Sequence, residues 1–277
     1  MAVINGYAFD VLKIVDYLKP FRDDVAKSFN WGSPNYSDLD KAFEIGLFSN
    51  DEMDILLSMD SMYERNVLIK TLISKKLTKP MEGKEADYYN WIVKEWGRIK
   101  AYNKPPDYVT DSINTLIVDN YLSLNSIASM SKIAGFMYPE KFVIYDARVC
   151  YSLNWILLKN KASDKYFPVP ESRNTKLKAF DIGVIIRLIN AETYHIPQDD
   201  NSILKKTIKH KDNELYVDQG KAYTTLCELI CQVNDLLWEN DDEKKRYPFH
   251  TEMILFVIAD QDIVIDIINS CKLNFGH

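Results

Sequence analysis

A lysine and an aspartate separated by fourteen residues, Lys132 and Asp146, are the pair in this sequence best suited to chemistry. Asp146 stands between the apolar run 142–145 and a segment of helical periodicity, so we expect it to be the N-cap of a helix. The helix N-terminus keeps such a carboxylate ionised and rigid, and a fixed carboxylate can stabilise a developing sugar cation. Lys132 falls on the preceding predicted helix, and a lysine beside apolar surface can lose its proton and act as a nucleophile.

Each of these residues also has a simpler interpretation. An aspartate before a helix is most often only a cap, and a single lysine is most often a solvated surface charge. An antiparallel pair of helices joined by a short connection would bring the two side chains together. The catalytic hypothesis therefore requires that Lys132 and Asp146 line one cleft, and it fails if they point to opposite faces.

Two segments around this pair resemble the signature of the helix-hairpin-helix DNA glycosylases. Residues 127–134 (IASMSKIA) occupy the place of the hairpin L-P-G-x-G-x-K-x-A, and residues 144–149 (IYDARV) occupy that of V-D-x-x-V. The surroundings are similar to the bacterial branch described as 8-oxoguanine-DNA-glycosylase-like, which includes phage-restricting glycosylases directed at modified cytosines. The similar stretches are residues 91–99 and 138–142 and, more loosely, 251–256. Ser129 and Ser131 stand where the family has the hairpin glycines.

The resemblance implies a DNA glycosylase that excises a damaged or modified base flipped out of duplex DNA. It implies that Lys132 attacks the sugar C1′, with possible strand cleavage through a Schiff base, and that Asp146 stabilises the oxocarbenium-like transition state. A flipped base must be held between aromatic or apolar side chains, and Trp91, Trp96 and Tyr145 are the candidates, although each has an alternative role in helix packing. No cofactor or metal is implied, and the biological role is either repair or anti-phage defence.

Contacts to the DNA backbone are expected from polar and basic residues near this region. The first candidates are Ser129, Ser131, Arg148, Lys159 and Lys161. Further basic residues form two groups, each of which may equally be a solvated loop: Lys165, Lys176 and Lys178 in one, and Lys205, Lys206, Lys209 and Lys211 in the other.

The distribution of charge along the chain is consistent with a DNA partner, although the negative net charge argues against one. The chain of 277 residues has a formal net charge of −6. Residues 1–60 and 181–277 carry −6 and −7, whereas residues 61–180 carry +7 and contain the candidate pair. A basic middle segment between acidic flanks predicts where DNA would touch, with chance as the simpler explanation.

Composition excludes several other classes of protein. A hydrophobic content of 47% excludes a disordered chain, and the longest uncharged apolar run, 253–259, is too short to cross a bilayer. Four scattered cysteines favour a reducing, cytoplasmic location. Cys227 and Cys231 lie four apart without a third Cys or a His nearby, so buried packing is favoured over a metal site. Isolated glycines exclude a phosphate-binding loop.

The hydrophobic periodicity is helical almost throughout and predicts an all-α protein with two helical lobes around a central cleft. We expect an N-terminal lobe over 1–85, the glycosylase-like core over 86–200 and C-terminal helices over 201–277. In detail, Pro20 should stop the first helix, and Ser37 and Asn50 should cap the helices that follow. Further helices are expected over 88–101, 123–136 with a break at 128–131, 146–158, 175–190, 216–239, 249–259 and 263–271.

Two other classes of function remain open. A helix-hairpin-helix protein can hold DNA without cutting it, in which case neither abasic product nor trapped adduct would form. A helical protein-interaction module would lack DNA affinity even at low salt.

Overall fold

The computed structural model describes residues 1–32, 34–79, 81, 83–171, 174–190 and 215–270. It confirms the all-α class: the described chain is mostly helical, with one short β-hairpin at its start. Strands β1 (Ala2–Ile4) and β2 (Tyr7–Phe9) pair antiparallel through a turn in which Asn5 and Gly6 have φ of 50° and 92°. Positive φ at both turn positions is typical of a tight hairpin turn.

The helices follow one another in short steps. In chain order they are α1 (Val11–Arg22), α2 (Val25–Ser28), α3 (Tyr36–Glu44), α4 (Asn50–Ser58), α5 (Met62–Leu77), α6 (Glu85–Asn90), a π-helix (Trp91–Trp96), α7 (Pro106–Asp119), a 3-10 turn (Leu124–Ser126), α8 (Ile127–Met137), α9 (Ala147–Lys159), α10 (Thr175–Ala179), α11 (Ile182–Ile189), α12 (Ala222–Leu237), α13 (Asp242–Arg246), α14 (Phe249–Ile258) and α15 (Asp262–Ser270). Among the residues described, no helix combines the length and apolar character needed to cross a membrane.

Three predicted helix ends are wrong by one or two residues. Helix α1 continues through Pro20, because a proline in the last turn removes only one hydrogen bond near an end that is already fraying. The N-cap of α3 is Asn35 rather than Ser37, and its side chain forms a capping box with Asp38. The N-cap of α4 is Ser49 rather than Asn50, and it accepts a hydrogen bond from the backbone of Glu52.

Two long predicted helices are broken or changed in type. The helix expected over 88–101 is α6 followed by the π-helix, and the π-helix ends at Gly97. The helix expected over 175–190 is split into α10 and α11, because the side chain of Asp181 accepts a hydrogen bond from Val184 N and begins a new helix. The two C-terminal helices lie where they were predicted, as far as Ser270.

The segment that carries the candidate lysine is one continuous helix. The expected break at 128–131 is wrong, since α8 runs uninterrupted from Ile127 to Met137. The hydroxyl of Ser129 donates to the carbonyl of Ser126 at 3.0 Å, a local bond compatible with a helical turn. The reversal comes later, in the extended connection 138–146, and it ends where Asp146 caps α9 as predicted.

One hydrophobic core extends through all three predicted segments. It includes Ile4 near the start of the chain and Ile267 near the end of the described part. Helix α1 packs against α12 and α14, α14 packs against α9, and α5 packs against α8. The division at 85 and 200, the two lobes and the helix-hairpin-helix fold itself stay predictions. The packing pairs α5 with α8 and α9 with α14, and the ion pair of Lys70 with Glu252 joins α5 to α14.

Candidate active site

Lys132 and Asp146 line the same cavity, as the catalytic hypothesis requires. The cavity has a volume of about 50 Å³, which is room for a few water molecules. Helices α5, α8 and α14, the connection before α9 and the chain just after α2 enclose it. The lining residues are Phe29, Trp31, Lys70, Trp96, Gly97, Lys132, Ile144, Asp146, Glu252, Met253 and Phe256.

Lys132 is buried, with 5% of its surface exposed. Its Nζ donates a hydrogen bond to the carbonyl of Ala128, one turn earlier on α8, at 2.9 Å. Burial lowers the pKa of Lys132, and the negative charges of Asp146 and Glu252 oppose that shift without cancelling it. A lysine with a lowered pKa has more of its amine in the nucleophilic form near neutral pH.

Gly97 provides the space in which the Lys132 side chain lies. A Cβ atom built at this position would be 2.6 Å from Cδ of Lys132 and 2.8 Å from the backbone oxygen of Val93. Gly97 directly follows the π-helix, and such helices are frequent at functional sites. We infer that the irregular backbone and the glycine together allow the lysine to cross the end of the π-helix.

Asp146 is held by its own helix and by its connection. Its Oδ1 accepts a hydrogen bond from Arg148 N at 2.9 Å, which is the expected N-cap bond. Just before it, Ile144 N donates to Oε2 of Glu252 at 2.8 Å and Tyr145 N donates to Oγ of Ser131 at 3.1 Å. Because Ser131 adjoins Lys132 on α8, this last bond ties the lysine's helix directly to the aspartate's connection.

A second buried pair of charges shares the cavity. Nζ of Lys70, on α5, lies 3.4 Å from Oε1 of Glu252, on α14, and the exposed fractions of the two side chains are 2% and 7%. Burial lowers the pKa of Lys70 and raises that of Glu252, while each charge opposes the shift of the other. No local sequence pattern predicts this pair, since Lys70 and Glu252 lie on helices far apart along the chain.

Aromatic side chains form the remaining walls of the cavity. The Trp31 ring packs edge-on against Phe256, with centroids 5.5 Å apart, and lies 6.4 Å from the Trp96 ring. The indole nitrogen of Trp96 donates to Oδ1 of Asn66 at 2.7 Å. The indole nitrogen of Trp31 is buried and has no hydrogen-bond partner among the residues described. Trp31 therefore offers an unused donor in a wall of the cavity.

Only one of the three aromatic residues predicted to hold the base lines the cavity. Trp96 does so, whereas Trp91 and Tyr145 are core residues. The indole nitrogen of Trp91 donates to the backbone oxygen of Asp38 at 2.6 Å. The Tyr145 side chain is fully buried, and its hydroxyl donates to the carbonyl of Pro168 at 2.7 Å. Helix packing, the alternative considered for each of them, is the role in which both are found.

The predicted phosphate contacts of the two serines are wrong. Ser131 is fully buried and binds Tyr145 N, and Ser129 is 9% exposed and donates to Ser126. Because 127–137 is helical, these hydroxyls satisfy backbone groups rather than face solvent. Arg148 is a quarter exposed, pairs with Asp260 at 2.9 Å and lies over the ring of Phe256, which places it beside the cavity.

The predicted lysine contacts lie on the surface or outside the described residues. Lys159 forms an ion pair with Asp266. Lys161, Lys176 and Lys178 are exposed, and Lys165 is half-buried. The second basic group falls outside the part of the chain that the structure describes: Lys205, Lys206, Lys209 and Lys211.

The cysteines of α12 are packing residues at their described positions. Cys227 is buried and Cys231 half-buried, and burial raises the pKa of both thiols. Within the described residues, no group of three or more His, Cys, Asp or Glu side chains is arranged to hold a metal ion.

Comparison of the chain with protein-family models, curated proteins and solved structures found no match.

Proposed function

We propose that the protein is a DNA N-glycosylase that cleaves the glycosidic bond of a damaged or modified base flipped out of duplex DNA. Lys132 is the nucleophile, and Asp146 stabilises the transition state. The observation that supports this most directly is that a buried lysine and a helix-capping aspartate line one aromatic-walled cavity. The substrates proposed are oxidised or otherwise damaged bases and the modified cytosines of phage DNA, which correspond to repair and to defence.

The charges of the cavity suit a reaction that passes through a sugar cation. Two carboxylates, Asp146 and Glu252, line the cavity beside Lys70 and Lys132. A carboxylate held at this position favours an oxocarbenium-like transition state. Nζ then forms a bond to C1′ as the bond between C1′ and the base breaks; the bonding electron pair leaves with the base, which takes up the proton that the attacking nitrogen releases. The nitrogen lone pair next forms the C1′=N bond as the C1′–O4′ bond breaks, and O4′ keeps that electron pair and takes up the second nitrogen proton, which leaves a Schiff base on an opened sugar.

The cavity must widen before it can accept a base, since about 50 Å³ holds only a few water molecules. Trp31, Trp96 and Phe256 are the walls between which a flipped base would stack. The unused indole donor of Trp31 is available to an acceptor on that base. Arg148, beside Phe256, is the proposed backbone contact nearest to the cavity. Lys159, the last residue of α9, and Lys161, just after that helix, are the other proposed contacts.

Single-turnover base release separates the two catalytic roles. On a substrate that the unmodified chain excises, Asp146→Asn should slow release by about 10²- to 10³-fold, because the transition state loses its carboxylate. Lys132→Gln should abolish any adduct trapped by borohydride. DNA affinity should change by no more than about threefold in either variant, because neither residue is a proposed backbone contact.

Lys19→Gln is the matched control, since it removes an exposed lysine on α1 that neither lines the cavity nor is a proposed DNA contact, and it should leave the rate of base release unchanged. Two results contradict the proposed function. One is unaltered base release by Asp146→Asn. The other is the absence of both abasic product and adduct with the unmodified chain, across a panel of damaged and phage-modified DNA.

A further inference from the structure

The buried pair Lys70–Glu252 lies at the point where the chain delivers Asp146. Glu252 uses both of its oxygens: Oε1 faces Nζ of Lys70 at 3.4 Å, and Oε2 accepts a hydrogen bond from Ile144 N at 2.8 Å. Ile144 is two residues before Asp146, in a connection without regular secondary structure. A buried backbone N–H in such a connection needs a side-chain acceptor, because a buried donor without a partner loses its hydrogen bond to water and gains none in return.

The position of Asp146 follows from this anchor. The backbone of Asp146 bonds back to Ile144, its N donating to the Ile144 carbonyl at 3.1 Å. Ile144 therefore makes both bonds: its N–H donates to Glu252, and its carbonyl accepts from Asp146 N. Tyr145 N donates a second hydrogen bond, to Oγ of Ser131. The connection is therefore bonded to α14 through Glu252 and to α8 through Ser131.

Lys70 is needed because Glu252 is close to a second carboxylate. The charge of Asp146 disfavours the ionised form of Glu252, and the buried ammonium of Lys70 offsets this repulsion. Lys70 has little freedom, since it lies 4.8 Å from the ring of Phe249 and 5.8 Å from that of Trp96. An unpaired charge in such surroundings is strongly destabilising, so the two residues act as a unit.

We propose that Glu252 is a positioning residue of the active site, which fixes the turn before Asp146 by accepting the amide hydrogen of Ile144, and that Lys70 is its buried counter-ion. This role rests on the proposed glycosylase function for its catalytic consequence. The anchoring of the turn does not depend on that function and is measured separately.

Two double variants separate the acceptor from the charges. Removing one partner alone is expected to unfold the chain, whereas replacing both members of a buried ion pair by side chains of similar size is often tolerated. Lys70→Met with Glu252→Gln removes both charges and keeps an amide oxygen for Ile144 N. Lys70→Met with Glu252→Met has the same size and neutrality but leaves Ile144 N without an acceptor.

The first measurement is hydrogen exchange at the Ile144 amide, compared within each variant with the exchange of core amides on α9 and α14, so that local opening is distinguished from a change in global stability. We expect protection in the unmodified chain and in the Gln variant, and loss of protection by about tenfold or more in the Met variant. The second measurement is single-turnover base release. Its rate should fall by about tenfold or more in the Met variant and be largely restored in the Gln variant, while DNA affinity is unchanged in both.

The outcomes are distinct. Equal Ile144 exchange in the two double variants overturns the anchoring role. Lost protection in the Met variant with an unchanged rate of base release overturns the positioning role. If base release falls equally in the two variants, the loss is due to removal of the charges, and the positioning role is again overturned. If the unmodified chain releases no base at all, the proposed function fails, while amide exchange still decides whether Glu252 holds the turn.

Discussion

At the scale of single residues, Lys132, the proposed nucleophile, differs from the other lysines of the chain in its surroundings. Lys132 is one lysine among many, but it is buried, it bonds to its own helix through Ala128 and it interacts with Asp146 and Glu252. Its neighbour across the cavity, Gly97, leaves it the space to lie there. The size of residue 97 should therefore control the reaction without touching any charge.

Gly97→Ala tests this. The new methyl group would lie 2.6 Å from Cδ of Lys132 in the present arrangement, so the lysine must move. We expect base release to slow by about tenfold or more and stability to fall by about 1–3 kcal/mol. Single-turnover kinetics and urea unfolding measure the two effects.

Gly135→Ala is the control for this substitution, because it adds the same methyl group on α8 with its nearest contact at 3.5 Å. Gly135→Ala should leave the rate of base release unchanged and raise the free energy of unfolding by about 0.5–1 kcal/mol, because alanine has the higher helix propensity. A rate in Gly97→Ala equal to that in Gly135→Ala would show that the position of Lys132 does not limit the reaction.

At the scale of secondary-structure elements, local signals predicted what local interactions determine. Asp146 was predicted as an N-cap because an aspartate followed by a helical apolar pattern needs no distant partner to act as one. The helical break at 128–131 was wrong for the opposite reason. The bond of Ser129 to the Ser126 carbonyl is local and lies within the helix. The bond that Ser131 accepts from Tyr145 N spans fourteen residues, so the chain reverses after the helix, and no local pattern predicts that contact.

The elements that complete the cavity could not be read from the sequence. The π-helix has the amino-acid pattern of an ordinary helix, and its irregular turn is stabilised by packing against α3 and α8. Lys70 and Glu252 are recognisable as an ion pair only in the folded structure, where α5 and α14 bring their side chains together. Trp31 belongs to an N-terminal stretch that carried no recognisable motif, and it becomes a cavity wall through its contacts with Trp96 and Phe256.

At the scale of the whole molecule, a single core means that buried titratable groups that do not line the cavity also affect the stability of the entire chain. His250, next to Phe249 on α14, is such a group. Burial, reinforced by the positive charges of Lys244 and Lys70, lowers its pKa from 6.5 to about 3. Nδ1 lies 2.6 Å from the hydroxyl of Tyr63, and Nε2 is buried without a hydrogen-bond partner among the described residues.

Stability should therefore fall as the pH drops below 6.5. In that range the unfolded chain takes up a proton at His250 and the folded chain does not, so the equilibrium shifts toward unfolding by about 1.4 kcal/mol per pH unit until about pH 3. Above pH 6.5 both states are neutral at this residue, and it contributes no slope.

His250→Gln keeps an acceptor for Tyr63 and removes the titration. Between pH 7.5 and pH 5, the unmodified chain should lose about 2 kcal/mol more in urea unfolding than the variant does. Equal losses in the two proteins would show that His250 is not the group responsible.

The overall charge of −6 also has a different meaning once the site is located. The basic middle segment, with +7 over residues 61–180, includes α8, the connection and α9, and contributes Lys132 and Asp146 to the cavity, whereas the walls at 29–31 and 252–256 come from the acidic flanks. Part of its charge is already neutralised by ion pairs, as in Arg148 with Asp260 and Lys159 with Asp266. DNA binding at this surface would have to displace or share those carboxylates, which favours binding at low salt.

The most direct test of the central claim is to locate the adduct that borohydride traps between the chain and a DNA substrate. The complex is digested with a protease and a nuclease, and mass spectrometry identifies the lysine that carries the sugar. If Lys132 is the nucleophile, the sugar is found on Lys132 and is lost in Lys132→Gln. An adduct on Lys70 or on a surface lysine, or abasic product that accumulates without any adduct, would contradict the assignment of Lys132.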